Sequence, residues 1–287
     1  QILEGRTVQK MTISTLRHCF AIIVVGVFMF PIAWWGLTSI KPVSAIFDRD
    51  RVIFFDFEPT LASYHVILGS GWDNLFQGRT ALISSMIVAT GSTILTISIA
   101  LGAAFCLSRL MPRLMPHRAR NYLNFILLQR IIPPIAIIIP LVFMFRDMGL
   151  HDTHLGLIIA HSMINLPLAL FLLKSFMDDI PIDVDHAAMI DGASPFQCCW
   201  KILMPMMRGG IAGAAVLCFV FSWTEFTLAV FLTNTIQTLP IKISTFSSWT
   251  YGYSSALGSA AILPSFIFIL IFQTHLVRGL TLGAIKD

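Results

Sequence analysis

Two ionisable side chains are set inside long apolar stretches, Arg130 in LLQRIIPPIAII and Glu225 in FSWTEFTLAVF. Charge among residues suited to hydrocarbon is expensive, so such groups face a protein interior or a solute path and find partners there. Two readings stay open for them: mutual neutralisation across a helix interface, or contact with a solute. Asn165, Trp223 and Thr224 lie nearby in sequence terms and offer the neutral hydrogen bonds and aromatic faces that hold hydroxylated solutes; the same groups serve equally as interhelical glue. For an anionic solute, Arg130 has the planar donor fork that clamps phosphate, sulfonate or carboxylate. His151 and His154 stand near Asp147 and Asp152, but nothing closes a coordination shell around them, so they read as a solvated loop and no metal site is assigned. Cys198 and Cys199 form no CxxC pair and read as small apolar filler.

No catalytic constellation is visible: the sequence lacks a GxxxxGK[ST] phosphate loop, a GxGxxG turn, an HExxH pair and a GxSxG elbow. No catalytic residue and no cofactor of its own is therefore assigned to the chain, which, with the bilayer crossings its composition implies, reads as a path for a solute rather than an enzyme.

The elements that must position these residues follow from composition. Charged residues make up 12% of the 287, about half the ~25% usual for soluble domains. The hydrophobic share is 56% and the mean hydropathy +0.80, too apolar to cover a compact soluble particle. The net charge of +4 comes with no basic run interleaved with aromatics, which excludes a nucleic-acid partner. The expected fold is all-α and integral to a lipid bilayer. A span takes about 20 apolar residues, and six are expected, at 19–40, 81–107, 122–145, 155–173, 210–232 and 256–277. The whole chain, 1–287, is then one transmembrane domain.

Lys and Arg set the orientation. With the N-terminus inside, the cytoplasmic side collects twelve of them, including Arg109, Arg113, Lys174, Lys201 and Arg208, against six on the other side, where acids dilute them. Both ends are expected to be cytoplasmic. The first span is read as retained rather than as a cleaved signal, because its apolar run is long and carries Pro31, Trp34 and Trp35. Trp34, Trp35, Trp72, Trp223 and Trp249 fall mostly toward span ends, as membrane-interface anchors do.

The segment DDIPIDVDHAAMIDGASPFQCCWKILMP, Asp178 to Pro205, spells two short helices. Pro181 suits a first helical turn and Asp183 with Asp185 favours the positive end of the helix dipole. Gly192 supplies the left-handed stop. Ser194-Pro195 caps and starts a second helix, expected through Trp200 toward Met204-Pro205. Ala187 and Ala188 leave a small-residue patch that another protein can approach closely, with Met189 and Ile190 as adjacent apolar knobs. A segment lying on the inner leaflet is the competing reading.

The run Ala187-Ala188, Asp191-Gly192-Ala193, Ile202 and Pro205 resembles the EAA loop of binding-protein-dependent ABC importer permeases, with His186 where that family usually has Glu. The similarity extends to the carbohydrate-uptake group, close to the second permease of maltose-type systems. Pro133-Pro134, Asn165-Leu166-Pro167, Trp223-Thr224-Glu225-Phe226 and the Gly279–Lys286 ending carry it. The resemblance implies a type I ABC importer permease fold with a cytoplasmic coupling helix within 181–205. By the same resemblance, Asp185, His186, Ala187, Ala188, Met189, Ile190, Asp191, Gly192, Ala193 and Pro205 form the ATPase-coupling surface. It further implies an ATP-binding subunit dimer that uses ATP and Mg, a second homologous permease chain and an extracytoplasmic solute-binding protein. The location implied is the inner membrane of a prokaryote. The segment 233–255, with Asn234, Gln237, Trp249, Tyr251 and Tyr253, is a candidate contact for the binding protein or a gate, and its aromatics read equally as interface residues. An ion-coupled secondary transporter is the alternative, and a membrane-embedded enzyme or signalling subunit a further one.

Overall fold

The structure is a computed structural model and describes residues 2–48, 54–69, 77–115, 118–246 and 250–282. Trp72, Trp249 and the final 283–287 stretch of the expected tail motif lie outside the described residues. The described regular elements are all helical. We number the longer ones α1 (Ile2–Ser39), α2 (Ala62–Leu68), α3 (Gly78–Phe105), α4 (Arg118–Leu128), α5 (Pro134–Asp147), α6 (His154–Asp178), α7 (Ile182–Ile190), α8 (Pro195–Cys198), α9 (Arg208–Trp223), α10 (Thr227–Leu232), α11 (Leu239–Ser244) and α12 (Tyr251–Leu282).

Among the described residues, four helical stretches are long and apolar enough to cross a membrane alone: Ser14–Ser39, Gly78–Leu110, His154–Asp178 and Tyr251–Ile271. Two bent pairs bring the number to six if each counts as one span. The third expected span is one of these pairs. α4 tightens into a 3-10 turn at Gln129–Ile131, and Ile132, which precedes a proline, is held extended at φ −74°, ψ 118°. Pro133 and Pro134 contribute no N–H, and α5 restarts at 95° to the segment before it. The continuous helix expected over 122–145 is therefore two half-helices. The stretch expected as one span over 210–232 is also interrupted, since α9 stops at Trp223 and α10 begins at Thr227. Single prolines do less: Pro140, Pro167 and Pro264 sit inside continuous helices.

The chain forms two compact units, residues 1–77 with 246–260, and residues 78–245 with 261–287. In the first, Trp35 Nε1 donates to the Ser255 carbonyl at 3.0 Å, and Ser39 Oγ and the Tyr64 hydroxyl share a 2.8 Å hydrogen bond. The Lys41 ammonium lies 4.2 Å from the Trp34 ring centre, a cation over an indole face at the end of α1.

In the second unit α3 packs along α6, and α9 lies against both. Lipid tails are as apolar as leucine, so close approach rather than water exclusion holds such helices together. The buried stripe of α3 is accordingly small: Ala81, Ser85, Ala89, Ser92, Thr96, Ala100 and Ala104. Two apolar clusters result. One gathers Val88, Leu141, Phe145, Leu157, Leu228 and Leu232; the other gathers Leu101, Leu107, Leu170, Leu173, Met177 and Leu203. Along α3, α6 and α9 a polar layer of Ser92, His161, Asn165 and Ser222 falls between them.

The start of α6 depends on a close approach. Thr153 caps it by accepting from the Gly156 N–H at 2.9 Å, and a Cβ on Gly156 would overlap the Leu150 carbonyl oxygen. We expect Gly156→Ala to cost about 1–3 kcal/mol, the range for overpacking, seen as a thermal midpoint several degrees lower in detergent. Gly102→Ala, whose added methyl meets open space in mid-helix, should leave the midpoint unchanged or raise it. Equal midpoints for the two variants would contradict this packing.

Candidate functional site

The segment after α6 is built from local signals. Pro181 stands extended at φ −55°, ψ 138° just outside α7, as its cap and not in its first turn as expected. Asp183 and Asp185 do fall in that turn. At the other end Gly192 takes φ +82°, its N–H donating to the Met189 carbonyl at 3.0 Å while the Ala193 N–H reaches the Ala188 carbonyl at 2.9 Å. This is the paired closure that satisfies a helix's last carbonyls. Ser194 then opens α8 with a reciprocal cap: the Gln197 N–H donates to Ser194 Oγ at 3.3 Å, and the Ser194 N–H donates to Gln197 Oε1 at 2.9 Å. The helix widens into a π-turn at Cys199–Leu203 and ends at Met204–Met206, where the chain turns by 79° into α9. Residues 181–206 thus form a stiff two-helix hook.

Its faces divide the residues singled out in the sequence. His186, Ala187, Asp191, Gly192 and Pro205 are exposed, Ile190 is 86% exposed, and Met189 and Ala193 are half-buried. Asp185 and Ala188 instead point into the chain's own interior, at 1% and 5% exposure, so neither is a surface contact. The reason is Arg109. Its Nε lies 3.0 Å from Asp185 Oδ2, and its Nη2 donates to the carbonyls of Met177 (3.0 Å) and Ile180 (2.7 Å) at the end of α6. In the sequence Arg109 counts only as an inner-side charge; the signal that marks it is a single cation in the apolar run AAFCLSRLM. Phe196 and Trp200, given no contact role from the sequence, are exposed rings 5.9 Å apart on the second hook helix.

The second site is a cavity of about 140 Å³ where the broken helices meet the polar layer. It is lined by Arg130, Asn165 and Glu225, three of the five residues expected on a solute path, together with His161, Ile164 and Phe221. Arg130 sits at the break of the third span, its guanidinium 5.3 Å from the Phe221 ring centre, and also borders a neighbouring groove of about 230 Å³ with Gln129 and Met163. Glu225 occupies the other break. Its carboxylate accepts from the Leu228 N–H (3.0 Å) and the Ala229 N–H (3.3 Å), amides that the first turn of α10 leaves open, and lies 3.4 Å from His161 Nε2. His161 Nδ1 and Ser222 Oγ are 2.8 Å apart, and Ser92 Oγ donates to Ser222 Oγ at 2.8 Å. Arg130 and Glu225 therefore share a cavity without forming an ion pair; Glu225 is held by backbone instead, with His161 Nε2 3.4 Å away.

Trp223 and Thr224 do not line this cavity. Trp223 is buried and stacks on Phe219 at 5.6 Å, which stacks on Phe268 at 4.2 Å; Thr224 Oγ1 folds back to the Val220 carbonyl at 2.9 Å. Asn165 both faces the cavity and donates to the Cys218 carbonyl at 3.4 Å. His161 went unremarked in the sequence, although a lone imidazole in LIIAHSMIN is an intramembrane polar group by the rule that selected Arg130.

At the far end of α5 and α6, Asp152 in the left-handed region (φ +58°) ties two loops together. Its carboxylate accepts from the Asn234, Thr235 and Ile236 N–H groups at 3.0–3.1 Å and from the Thr235 hydroxyl at 2.7 Å. Asn234 thus contributes its backbone here. Burial raises the Asp152 pKa, but the Thr235 hydroxyl and the three N–H groups outweigh it and hold the carboxyl at about 2. His154, expected in a solvated loop, begins α6 and lies 3.1 Å from Ser84 Oγ through Nε2 in a half-buried contact.

Comparison with known proteins matches residues 105–282 to the family described as binding-protein-dependent transport system inner membrane component. The chain is 33% identical to the trehalose transport system permease protein SugB of Mycobacterium tuberculosis, over 92% of this chain and 94% of that protein. It is 32% identical to the sulfoquinovosyl glycerol transport system permease protein SmoH of Agrobacterium fabrum, over 94% and 93%. Among solved structures, a chain of a bacterial ABC transporter involved in the import of the acidic polysaccharide alginate shares the fold at TM-score 0.75 and 18% identity, over 91% of this chain and 95% of that one.

A depressed folded-state pKa stabilises at pH above the unfolded value, and the stabilisation is lost as pH falls through the folded one. The Asp152 tie should therefore be complete above the ordinary carboxyl pKa of about 4 and disappear toward about pH 2. The thermal midpoint of the wild type should exceed that of Asp152→Asn by a constant margin from about pH 8 to 5, narrowing only below about 4. A margin that closes between about pH 7 and 5 would assign the titration to another group.

Proposed function

The chain belongs to the binding-protein-dependent transport system inner membrane components, the permease subunits of ABC importers, and from that premise we propose that it forms half of the path for a sugar, polyol or related small solute. The relatives named for trehalose and sulfoquinovosyl glycerol support this solute class. A second homologous permease supplies the other half of the path. An extracytoplasmic binding protein delivers the solute, and an ATP-binding subunit dimer, using ATP and Mg, drives the cycle. The chain lies in the inner membrane of a prokaryote with both ends cytoplasmic, the orientation that puts the Lys- and Arg-rich segments inside.

One observation carries the coupling role: a stiff two-helix hook that presents Ala187, Ile190 and Gly192 outward beside the exposed Asp183, His186 and Asp191, while Asp185 is held inward. The exposed His186, Ala187, Ile190, Asp191 and Gly192 form the docking face for the ATPase, with Met189 and Ala193 at its edge and Pro205 at the exit. Asp185 and Ala188 anchor that face from behind. The cavity with Arg130, Asn165 and Glu225 lies on the solute path, and the Leu228 and Ala229 amides fix the Glu225 carboxylate there beside His161.

Affinity purification of the chain from its native membrane should bring down an ATPase and a second chain of similar span number, and uptake in reconstituted vesicles should require ATP. Vesicles holding this chain alone that accumulate a sugar under an ion gradient would establish the secondary-carrier alternative instead. Within the importer, Gly192→Val places a β-branched residue at φ +82°, a conformation that such residues rarely adopt. We expect it to lower uptake by at least about tenfold with the protein still in the membrane. Normal uptake, or loss of the protein from the membrane, would contradict a coupling role.

A further inference from the structure

The hook is joined by the chain to α6, through Asp179–Pro181, and to α9, through the turn after Met206. It has no covalent link to α3. Ala104 and Leu107 share one apolar cluster with Ala188 and Cys198 of the hook, and one polar group, the Arg109 guanidinium, reaches across to it. Separating a buried ion pair leaves each charge stranded in a poor solvent, so this contact resists being pulled apart. Arg109 is 6% exposed and holds three groups at once: the Asp185 carboxylate on α7 and the Met177 and Ile180 carbonyls at the end of α6. Asp185 reaches further, its Oδ1 lying 3.9 Å from Cys198 Sγ in the second hook helix. Arg109 itself sits on the π-turn Cys106–Leu110 that continues α3, a widened turn of the kind that re-aims side chains.

We propose that Arg109 is a positioning residue that makes the hook, the end of α3 and the end of α6 move as one body, so that ATPase-driven motion reaches α3 through this guanidinium. The proposal rests on the reading of the hook as the ATPase contact. Force then enters the bundle backward, into α3 and α6, as well as forward into α9. Arg109 touches neither solute nor nucleotide and acts through Asp185.

The test uses the importer complex purified with its ATPase, in nanodiscs, with the five native cysteines replaced by Ala and Phe221→Cys at the cavity as reporter. The measurement is maleimide labelling at position 221 with and without ATP–vanadate. In this background, with Arg109 and Asp185 intact, trapping should change the labelling rate at least about fivefold. No change in that control means that the ATPase does not drive this chain and overturns the coupling reading itself.

Single substitutions leave a buried charge unpaired and so are poor probes; the double variant Arg109→Gln with Asp185→Asn leaves none. It should reach the membrane and bring down the ATPase at the control level, because the exposed docking face is untouched, while ATP–vanadate no longer changes labelling at position 221. A control-sized change in the double variant would overturn the proposal. So would its absence from the membrane, since the pair would then be needed for folding and not for transmission. Arg109→Lys, which keeps a cation beside Asp185 but not the guanidinium's fork, should give an intermediate change.

Discussion

Backbone groups freed at a helix end have no water to turn to inside a bilayer, so something in the chain must meet them. Much of the polar architecture of this protein answers that constraint. The carbonyls at the end of α6 are taken by Arg109, the open amides of α10 by Glu225, and the start of α6 by Thr153. Two of these side chains do a second thing because of where they are held. Arg109 meets Asp185 on the hook, and Glu225 faces the cavity beside His161. Function is therefore concentrated where helices stop.

The two apolar clusters give those stops their mechanical setting. Each is tightly filled, and the layer between them is made of Ser92, His161, Asn165 and Ser222, joined by hydrogen bonds that run across helices. The breaks at 129–133 and 224–226 border this layer through the cavity that Arg130 and Glu225 line. A polar seam between two dry bodies can exchange partners at similar cost, whereas an interlocked apolar core resists shear. Relative movement of the halves is thus most readily accommodated at the level of the cavity.

How much of this was readable in the sequence depended on the range of the interactions involved. The hook was legible almost residue by residue, because Pro181, Gly192, Ser194 and Pro195 act on their immediate neighbours. Only the place of Pro181, outside α7 instead of inside it, shifted. The broken third span was not read, although Pro133-Pro134 was seen, because proline alone does not separate a tolerated kink from a stop: Pro140, Pro167 and Pro264 leave their helices whole. Trp223 drew notice for its ring, but its stacking on Phe219, and through it on Phe268, is a matter of tertiary packing. Asp185 was placed on a contact surface because its partner, Arg109, lies far back along the chain. Arg130, Asn165 and Glu225 were found because polarity inside an apolar run is itself a local mark, and the same mark on His161 went unused.

The π-turn at Cys106–Leu110 makes the aim of Arg109 a matter of chain length. Such a turn amounts to a single residue inserted into an α-helix, which advances everything after it by about 100° around the axis. Deleting one residue of the turn ahead of Arg109 would restore regular winding and swing the guanidinium to another side of the helix. The phase of that helix, and not merely its composition, thus decides which neighbours Arg109 can reach.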